Sequence, residues 1–445
     1  MSARGRQIAW TLLRHSVASV RFGRAERRAA FARNLRRAFE ELGPAFIKLG
    51  QIVSVRPDIF GPELVFEMEK LRDAVPPAPV DEIRRIIASD LGRSPDELFA
   101  DFDDEPIASA SIAQVHRAIL AEDYRPVIGD TLNAGTCVVI KVVRPGVERA
   151  ILADIAAARP LVRRLGRLPR LKRYNLGGLL DEFAVSLCSE CDLRREATVA
   201  DRFAFDFRDD PLLVVPRIVW PKTARRVVTM EYVEGWRLSE VTDVERQGID
   251  GRALALHGAQ LFMKQVLVLG RFHADLHPSN LFITPDGRIA YLDFGIVGVT
   301  RPEDREAIAQ VLVATVYGDA DRALTYSAAL GLVVPEKVRP RVRRRVGDLM
   351  EETLGTPPRD VRGFAVGFLR IMDDEGVSVP QGFGLLVKAL VTVEGVARSI
   401  YPDIDITDAA KPYATRLIAE QMMEPSRVVK RLPAALRAAL RELAG

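Results

Sequence analysis

The chain has 445 residues, of which 48% are hydrophobic and 28% charged; these ordinary globular values exclude a disordered, collagen-like or multi-span membrane chain. Its 64 Lys and Arg residues exceed its 60 Asp and Glu residues by four, so the net charge gives no field suited to nucleic acid. Three cysteines cannot build a disulfide framework, and Cys188 and Cys191 lack a second pair for zinc, so a reduced, cytoplasmic compartment is expected.

The first 40 residues are basic, with ten arginines against two acids. The apolar run after Arg6 is interrupted at Arg14 before any cleavage site, which argues against a secretory signal peptide. The apolar segments 307–317 and 382–396 are too short or carry charges, whereas a spanning helix needs about 18 uninterrupted apolar residues. We therefore expect a protein that contacts a membrane without crossing it.

The N-terminal region has apolar and basic residues at helical spacing. This pattern predicts helices from residue 1 to about 72, with breaks near Gly43-Pro44 and Arg56-Pro57. The proline-rich stretch 72–80 is typical of a linker, and a short helix is predicted over Val80 to Leu91.

The middle of the chain changes to a β pattern and then back to helix. Strand patterns cover Pro106 to Leu120 and Cys137 to Val143, which predicts a hairpin. Residues 146–204 are predicted helical, and strands return at 213–219 and 226–232. The rest of the chain is predicted to be mostly helical.

A short strand pair, 281–283 and 289–292, is the exception within this helical C-terminal part. A small mixed lobe therefore precedes a larger helical lobe. This order predicts an α+β protein.

Two motifs near this strand pair carry the chemistry. A phosphoryl-transfer site needs an Asp to orient a hydroxyl, an Asn five residues later to reach Mg²⁺, and a second Asp in a D-F-G turn to hold metal and phosphates. Asp275, Asn280 and Asp293 have this order and spacing. Taken singly, D-F-G is a common turn and H-P-S-N a helix cap, but both motifs together favour a catalytic Asp275 and the metal ligands Asn280 and Asp293.

Such a site also needs a strand lysine paired with a helix glutamate. Lys141 lies in the apolar run V-I-K-V, where burying its charge without a partner would cost free energy. Glu196 on a following helix can be that partner. A snorkelling lysine on an edge strand is the alternative. Met230, Glu231 and Val233 fit the hinge, where main-chain groups would meet an adenine and Met230 would gate the pocket.

The usual glycine-rich phosphate loop is replaced by an alanine-rich loop within residues 106–116. Every residue there carries a Cβ atom, which restricts close backbone approach to phosphates. The residues expected to line the nucleotide site in this segment are Ile107, Ala108, Ser109, Ala110, Ser111 and Val115.

The alanine-rich loop, the K-x-G-Q segment 48–51, the E-C-D segment 190–192 and the loop 272–280 together resemble the UbiB (aarF-domain-containing, ADCK-like) atypical kinases. The resemblance implies a two-lobed protein-kinase-like fold that binds ATP and Mg²⁺. It divides the chain into an N-terminal helical extension (1–80), an N-lobe with a helical insertion (81–234) and a helical C-lobe (235–445).

The resemblance also implies a regulatory role for the K-x-G-Q segment. Lys48 and Gln51 share one helix face and would occupy the surface where kinases bind peptide, with Glu190 and Asp192 beside them. One departure from the family pattern is Ser279, which stands where glycine is usual before the metal-binding Asn. It removes no metal ligand.

A second departure is Leu193, at a position where an aromatic residue is frequent. Three histidines, His116, His273 and His277, belong to the motifs. The ordinary role for each is a structural hydrogen bond. Cys188 and Cys191 are interpreted as packing residues.

The favoured function is a Mg²⁺-dependent ATPase or a phosphotransferase acting on a small lipid-like molecule, which the resemblance connects with isoprenoid quinone or lipid metabolism. The sequence after D-F-G has no A-P-E segment and no long activation loop, which disfavours protein substrates. The alternative is a nucleotide-switched pseudokinase that acts as a scaffold for a membrane-associated assembly. The oligomeric state is left open.

Two basic amphipathic segments, 7–22 and 427–441, fit an anionic membrane surface. The alternative is that their apolar faces dock on the rest of the protein and their arginines face water.

Overall fold

The computed structural model describes residues 2–18, 24–54, 56, 59–71, 75–167, 175–240, 248–357 and 359–413. The chain forms two compact units, the first made of Met1–Thr242 and Pro278–Ile296, the second of Asp243–His277 and Val297–Gly445. Sheets and helices occur together in the first unit, so the predicted α+β class is confirmed.

The helices of the described residues follow the predicted alternation of helical and strand regions. They are α1 (Ala3–Ala18), α2 (Arg24–Leu42), α3 (Pro44–Ser54), α4 (Pro62–Met68), α5 (Val80–Leu91), α6 (Pro95–Leu98), α7 (Val147–Leu165), α8 (Leu176–Ser189), α9 (Leu193–Asp206), α10 (Gly251–Lys264), α11 (Pro302–Val316), α12 (Ala320–Ala329), α13 (Arg339–Leu354), α14 (Val361–Asp374) and α15 (Gln381–Ile400). The predicted helix over Val80 to Leu91 and the predicted break at Gly43 are confirmed.

The strands within the described ranges are shorter on average than the helices and belong to three sheets. They are β1 (Phe99–Ser109), β2 (Ala113–Leu120), β3 (Cys137–Val143), β4 (Leu213–Val214), β5 (Val227–Glu231), β6 (Trp236–Arg237), β7 (Arg271–His273), β8 (Leu281–Ile283), β9 (Ile289–Tyr291) and β10 (Val297–Val299). The first unit holds an antiparallel sheet of order β1-β2-β3-β5 and a mixed sheet of order β4-β9-β8-β6.

The two faces of the larger sheet differ because side chains alternate along a strand. Val138, Ile140 and Val142 of β3 are fully buried and pack in one core with Ile83 and Ile87 of α5. Burying a side chain of this size contributes about 1.5–3 kcal/mol. The alternate residues of β3, Lys141 among them, therefore point to the opposite face.

The prediction of one strand over residues 106–120 is wrong. The chain turns at 110–112, and the first strand of the resulting hairpin already begins at Phe99. Phe99 and Phe102 are buried, but the acidic run between residue 101 and residue 105 faces water. This edge strand has bulges at Phe99/Asp101 and at Phe102/Pro106, so its apolar residues lose the period of two that identifies a strand.

The predicted strand at 213–219 shortens to the two residues of β4, and Ile218 forms only an isolated bridge with Met230. Strands β6, β7 and β10 were not predicted, since two or three residues are too few to establish a period. Their pairing comes from partners distant in the chain.

The second unit is mainly helical and includes the β7–β10 pair. The close approach of these strands depends on Gly298, because a Cβ atom there would lie 2.2 Å from the ring of Phe272. Helix α10 packs on α15 through Ala255 and Ala397. Residues 406–413 are also helical.

Helix α1 docks through one face and exposes another. Ile8 and Thr11 are buried, and Arg4 donates to the Asp154 carboxylate of α7 at 2.7 Å. Trp10 and Leu13 are 65% and 56% exposed. The inner face of α1 therefore docks on the rest of the protein, which was the alternative to membrane binding. The second basic amphipathic segment, 427–441, lies outside the described residues.

Among the helices that the structure describes, none combines the length and the apolar character that crossing a bilayer requires.

The three cysteines are free thiols. Helix α8 ends at Ser189, so Glu190 and Cys191 lie in the turn before α9, not in the helix that was expected to carry them. Burial raises the pKa of the Cys191 thiol to about 12, with smaller contributions from nearby acids. A packing role fits this unreactive thiol.

Candidate active site

The predicted lysine–glutamate pair is formed in the first unit. Lys141 of β3 donates to both carboxylate oxygens of Glu196 in α9, at 2.6 and 2.8 Å. The two side chains are only 19% and 12% exposed. Burial by itself would lower the pKa of Lys141, but the carboxylates of Glu196 and Asp293 outweigh it and raise that pKa. The lysine is therefore a largely buried cation with a carboxylate partner, not a snorkelling side chain.

Asp293 lies beside this pair. Its Oδ2 atom is 3.9 Å from the Lys141 ammonium, and its Oδ1 atom accepts a hydrogen bond from the Gly295 amide at 2.9 Å. The side chain is 44% exposed. One oxygen is thus oriented by the D-F-G turn, and the carboxylate remains accessible to a solvent ion.

Asn280 is brought towards the same turn by the β8–β9 pairing, in which Leu281 pairs with Tyr291. Beyond this pair, the Leu292 amide donates to the Asn280 carbonyl at 3.3 Å. Within the described residues no group of three His, Cys, Asp or Glu side chains could hold a metal. One carboxylate and one amide suit Mg²⁺, which binds through few protein ligands and completes its shell with phosphates and water.

Helix α9 and the D-F-G turn are held together by packing. The main-chain N–H of Phe294 donates to Glu196, and the Phe294 ring lies 5.3 Å from that of Phe203. A small apolar cleft adjoins this contact, with Glu196 at one side. Its other lining residues are Ala197, Ala200, Pro216, Ile218, Val228, Met230, Leu292 and Phe294.

The hinge residues follow directly from strand β5. Met230 is 8% exposed and lines the cleft. The Glu231 carboxylate accepts from Arg217 at 2.8 Å, which holds this side chain in an ion pair. Val233 is partly buried just beyond the strand. The predicted gate and hinge therefore occupy one continuous segment next to the Lys141–Glu196 pair.

The alanine-rich loop joins β1 to β2. Val115 lies directly opposite Lys141 in the β2–β3 register, so both side chains are on the same face of the sheet. Ser111 is buried and Ile107 is 44% exposed. Ala108 pairs with Val115 in the ladder. The turn itself, residues 110–112, closes with the Ala110 amide donating to the Ala113 carbonyl.

The linker before α5 is fastened to this loop. The Val75 amide donates to the Ser109 carbonyl, and Arg144 donates to the Ser109 hydroxyl at 2.7 Å and to the Pro76 carbonyl at 2.9 Å. Gln114 accepts from the Ala78 amide at 2.7 Å. These contacts restrict the conformation of the loop, and they add to the restriction that its Cβ atoms impose on the backbone.

Sequence reasoning missed the roles of Gln114 and Arg144. Gln114 contacts the fully buried His116, whose Nδ1 atom bonds the Asp103 carbonyl at 2.8 Å. Burial lowers the pKa of His116, which agrees with its expected structural role. The sequence did contain a signal for Gln114: a polar residue at a strand position that faces the core needs a hydrogen-bond partner.

The K-x-G-Q segment lies in helix α3. The Lys48 ammonium is 2.8 Å from a carboxylate oxygen of Glu190, and its charge opposes the raised pKa of Lys141. Gln51 is partly buried on the same helix. Gly50 is required by packing, because a Cβ atom there would lie 2.2 Å from the Leu71 side chain.

Asp192 has a structural contact of its own. It is the N-cap of α9, and its carboxylate accepts from the Arg194 amide at 3.3 Å. A cap of this type stabilises a helix by about 1 kcal/mol. Asp192 therefore helps to place Glu196 one turn later.

The second unit contains Asp275. Its amide donates to Nδ1 of His273 at 3.1 Å, and the His273 amide donates to the buried Gln265 side chain at 2.9 Å. Gln265 begins a π-helical turn at the end of α10. The Asp275 carboxylate lies 3.2 Å from the ammonium of Lys388 in α15, a contact that sequence reasoning missed.

His277 follows Asp275 at the end of this segment of the second unit. The residue is exposed at the surface. Desolvation of its ring nevertheless lowers the pKa of His277; the Asp275 charge opposes this effect and the Lys388 charge adds to it. The neutral form of the imidazole is therefore favoured.

Known proteins resemble most of this chain. The model of the ABC1 atypical kinase-like domain matches residues 70–327, and that of the UbiB helical domain matches residues 364–405. The Probable protein kinase UbiB of Marinobacter nauticus is 34% identical over 406 residues, which are 89% of this chain and 72% of that protein.

Two further relatives are considerably longer than this chain. The Arabidopsis thaliana chloroplast protein named ACTIVITY OF BC1 COMPLEX KINASE 3 is 34% identical over 87% of this chain and 53% of its own length. An uncharacterized Synechocystis protein is 33% identical over 91% of this chain and 58% of its own length. The chain thus spans little more than half of these two proteins. The ABC1 domain model matches more than half of the residues, and the similarity to the Marinobacter nauticus protein covers 72% of that protein. The chain therefore belongs to the UbiB (ABC1) family of atypical kinase-like proteins, as its motifs predicted.

Proposed function

We propose that this protein uses Mg²⁺-ATP, either hydrolysing it or transferring its γ-phosphoryl group to a small lipid-like molecule such as a quinone precursor. The observation that carries the proposal is the contact of Lys141 with both Glu196 and Asp293, with Asp293 accessible to solvent. A buried lysine held by one carboxylate and close to a second, exposed one is the arrangement that phosphoryl transfer needs.

Each residue has a distinct role in this proposal. Lys141 binds phosphate oxygens and Glu196 orients it, while Asn280 and Asp293 provide side-chain oxygens for the metal. Bound Mg²⁺ supplies positive charge that offsets the charge of the phosphates. Asp275 accepts the proton of the attacking water or hydroxyl as the bond from the γ-phosphorus to the ADP oxygen breaks.

The adenine is proposed to lie against the hinge. The main-chain groups of Glu231 and Val233 would bond its edge, and Met230 would limit access to the cleft behind it. The Arg217–Glu231 ion pair supports this placement because it holds the Glu231 side chain independently of any ligand.

A small substrate is favoured over a protein. Only β10 separates the D-F-G segment from α11, which begins at Pro302, so the described chain offers no extended segment there for a peptide. Lys48 and Glu190 are paired in the first unit, as expected of a regulatory segment that occupies the peptide surface. The quinone or lipid class of the substrate rests on the family.

Phosphate release by the purified full chain with Mg²⁺-ATP tests this function. Wild type should release phosphate, and Asp275→Asn should bind nucleotide but release phosphate about 10²- to 10⁴-fold more slowly, which is the usual contribution of a general base. A wild type that binds nucleotide but releases no phosphate, with or without lipid and quinone precursors, would support the scaffold alternative.

The alanine-rich loop is proposed to restrain turnover. Ala108→Gly should free the backbone to approach phosphates and change the ATP/ADP preference or raise autophosphorylation, because glycine adopts conformations that alanine cannot. The measurements are nucleotide affinity and self-labelling with ATP. Ala150→Gly, at an exposed position of α7, is the matched control. If Ala108→Gly and wild type have the same nucleotide affinities and the same self-labelling, the loop does not restrain turnover.

The outer face of α1 is proposed to contact an anionic membrane. Trp10 and Leu13 are exposed there, on a helix that also carries Arg6 and Arg14 at exposed positions. Arg14 is paired with Glu41, so part of this positive charge is compensated. Exposed aromatic and aliphatic side chains beside basic ones are typical of helices that lie on a bilayer surface.

Vesicle co-sedimentation tests the membrane contact. Wild type should bind anionic vesicles, bind neutral ones weakly, and lose binding as salt increases, since each basic residue near the surface contributes about 1 kcal/mol. Trp10→Glu should reduce binding, whereas Val127→Glu, at a 93% exposed valine elsewhere, should not. Lack of vesicle binding by wild type at low salt would refute the proposal.

A further inference from the structure

A buried lysine of the C-terminal helical segment contacts the predicted catalytic aspartate. Lys388 lies within α15, inside the region 364–405 that matches the UbiB helical domain. Its side chain is 2% exposed, and its ammonium lies 3.2 Å from Oδ1 of Asp275. The two residues are 113 positions apart in the chain.

Packing alone does not explain a lysine at this position. Ala389, Val391 and Val393 of the same helix are also buried, and a methionine of similar length would bury apolar surface without the cost of desolvating a charge. An ammonium group in these surroundings requires a carboxylate, and the structure places that of Asp275 within hydrogen-bond distance.

The contact restrains the aspartate on one side. The Asp275 side chain is 36% exposed, so solvent reaches part of the carboxylate while Oδ1 is held by the lysine. Desolvation lowers the pKa of the neighbouring His277, which disfavours a positive charge on its ring. The ammonium of Lys388 therefore holds this carboxylate in one orientation and places a positive charge beside it.

We propose that Lys388 is a positioning residue for phosphoryl transfer, acting through Asp275. It fixes the carboxylate in the orientation that accepts the proton of the attacking group and keeps it charged in the presence of phosphate anions. The helical segment after the kinase-like domain then completes the catalytic loop and is more than a support. This inference rests on the function proposed above, in which Asp275 is the proton acceptor.

Lys388→Met tests the inference in the full chain. We expect kcat for phosphate release to fall roughly 10- to 100-fold, by analogy with the loss caused by removing groups that orient metal ligands. The thermal stabilisation by Mg²⁺-ATP should be retained, since Lys141 and Glu196 are unchanged. A purely structural lysine would instead lower the melting temperature and leave kcat per folded molecule unchanged.

Two further variants serve as controls. Lys411→Met removes an exposed lysine paired with Asp408 in the same unit, and should change neither kcat nor melting temperature because exposed pairs contribute little. Lys388→Gln retains an N–H donor of neutral charge and should give intermediate turnover. It also replaces Lys388→Met if that variant does not fold.

A double-mutant cycle with Asp275→Asn separates the possible results. If Lys388 acts through Asp275, Lys388→Met should cause no further loss of kcat in the Asp275→Asn background. Losses that multiply, or a Lys388→Met kcat equal to that of wild type, would overturn the inference and leave the proposed function intact. Absence of wild-type turnover would overturn both.

Discussion

Asp293→Asn is expected to abolish metal-dependent nucleotide binding. Asparagine has nearly the same shape, and its side-chain oxygen can still accept from the Gly295 amide, as Oδ1 of Asp293 does at 2.9 Å. The substitution removes the negative charge that a divalent cation requires, so the change should be electrostatic and leave the fold intact.

Thermal unfolding measures this effect directly. A ligand at about 100 times its Kd stabilises the folded state by about 2.7 kcal/mol, which corresponds to several degrees in melting temperature. Wild type should show this increase with Mg²⁺-ATP and a much smaller one with ATP and a chelator. Asp293→Asn should show the smaller increase in both conditions.

The β8–β9 turn offers a matched control. Asp286 is another aspartate of the same unit, paired with Arg288 at the surface, and Asp286→Asn should retain the Mg²⁺-dependent stabilisation. Equal stabilisation of wild type and Asp293→Asn would refute the metal assignment.

Lys141→Met is expected to weaken both the fold and nucleotide binding. It leaves the Glu196 carboxylate, only 12% exposed, without the ammonium that lies at 2.6 Å. Breaking a buried pair by removing one partner costs about 3–5 kcal/mol, because an uncompensated charge stays buried. The free energy of unfolding, measured with urea, should fall by this order, and nucleotide affinity should be lost.

The double variant Lys141→Met/Glu196→Gln separates the two effects. Glutamine keeps an oxygen for the Phe294 amide that bonds Glu196 and removes the buried charge. Much of the lost stability should return, since a neutral pair avoids the desolvation cost, but nucleotide affinity should not.

Lys70→Met is the control for this pair. Lys70 is 60% exposed in its contact with Glu67, and loss of such a surface pair costs at most about 1 kcal/mol. Nucleotide affinity that survives in Lys141→Met, or a double variant as unstable as the single one, would contradict the role given to the pair.

Much of the first unit could be predicted because its signals are local. The helix over Val80 to Leu91 has three buried isoleucines at helical spacing, and β3 alternates between buried and partly buried residues. The pairing of Lys141 with Glu196 followed from a charge in an apolar strand, because such a charge needs a partner. The same reasoning failed for β1, whose acidic face and bulges hide its two buried phenylalanines.

The contacts of the K-x-G-Q and alanine-rich segments were only partly predictable. Lys48 and Glu190 were placed together by resemblance, and the structure brings them to 2.8 Å. The attachment of the Pro76 linker to Arg144 and Ser109 had no signal in the sequence, because hydrogen bonds to main-chain carbonyls depend on position and not on residue type.

The amino-acid sequence alone was sufficient for the family, the α+β class and the order of Lys141, Glu196, Asp275 and Asp293. Each of these four residues belongs to a short motif that is identified by residue types a few positions apart. The contact between Lys388 and Asp275 was decided by the tertiary structure. In the sequence Lys388 is recognisable only as a charged residue within an apolar helix. Helical periodicity identifies which face of a helix is buried, but not which residues pack against that face. Its partner is set by how α15 packs within the second unit, which follows from the apolar surfaces of several helices together.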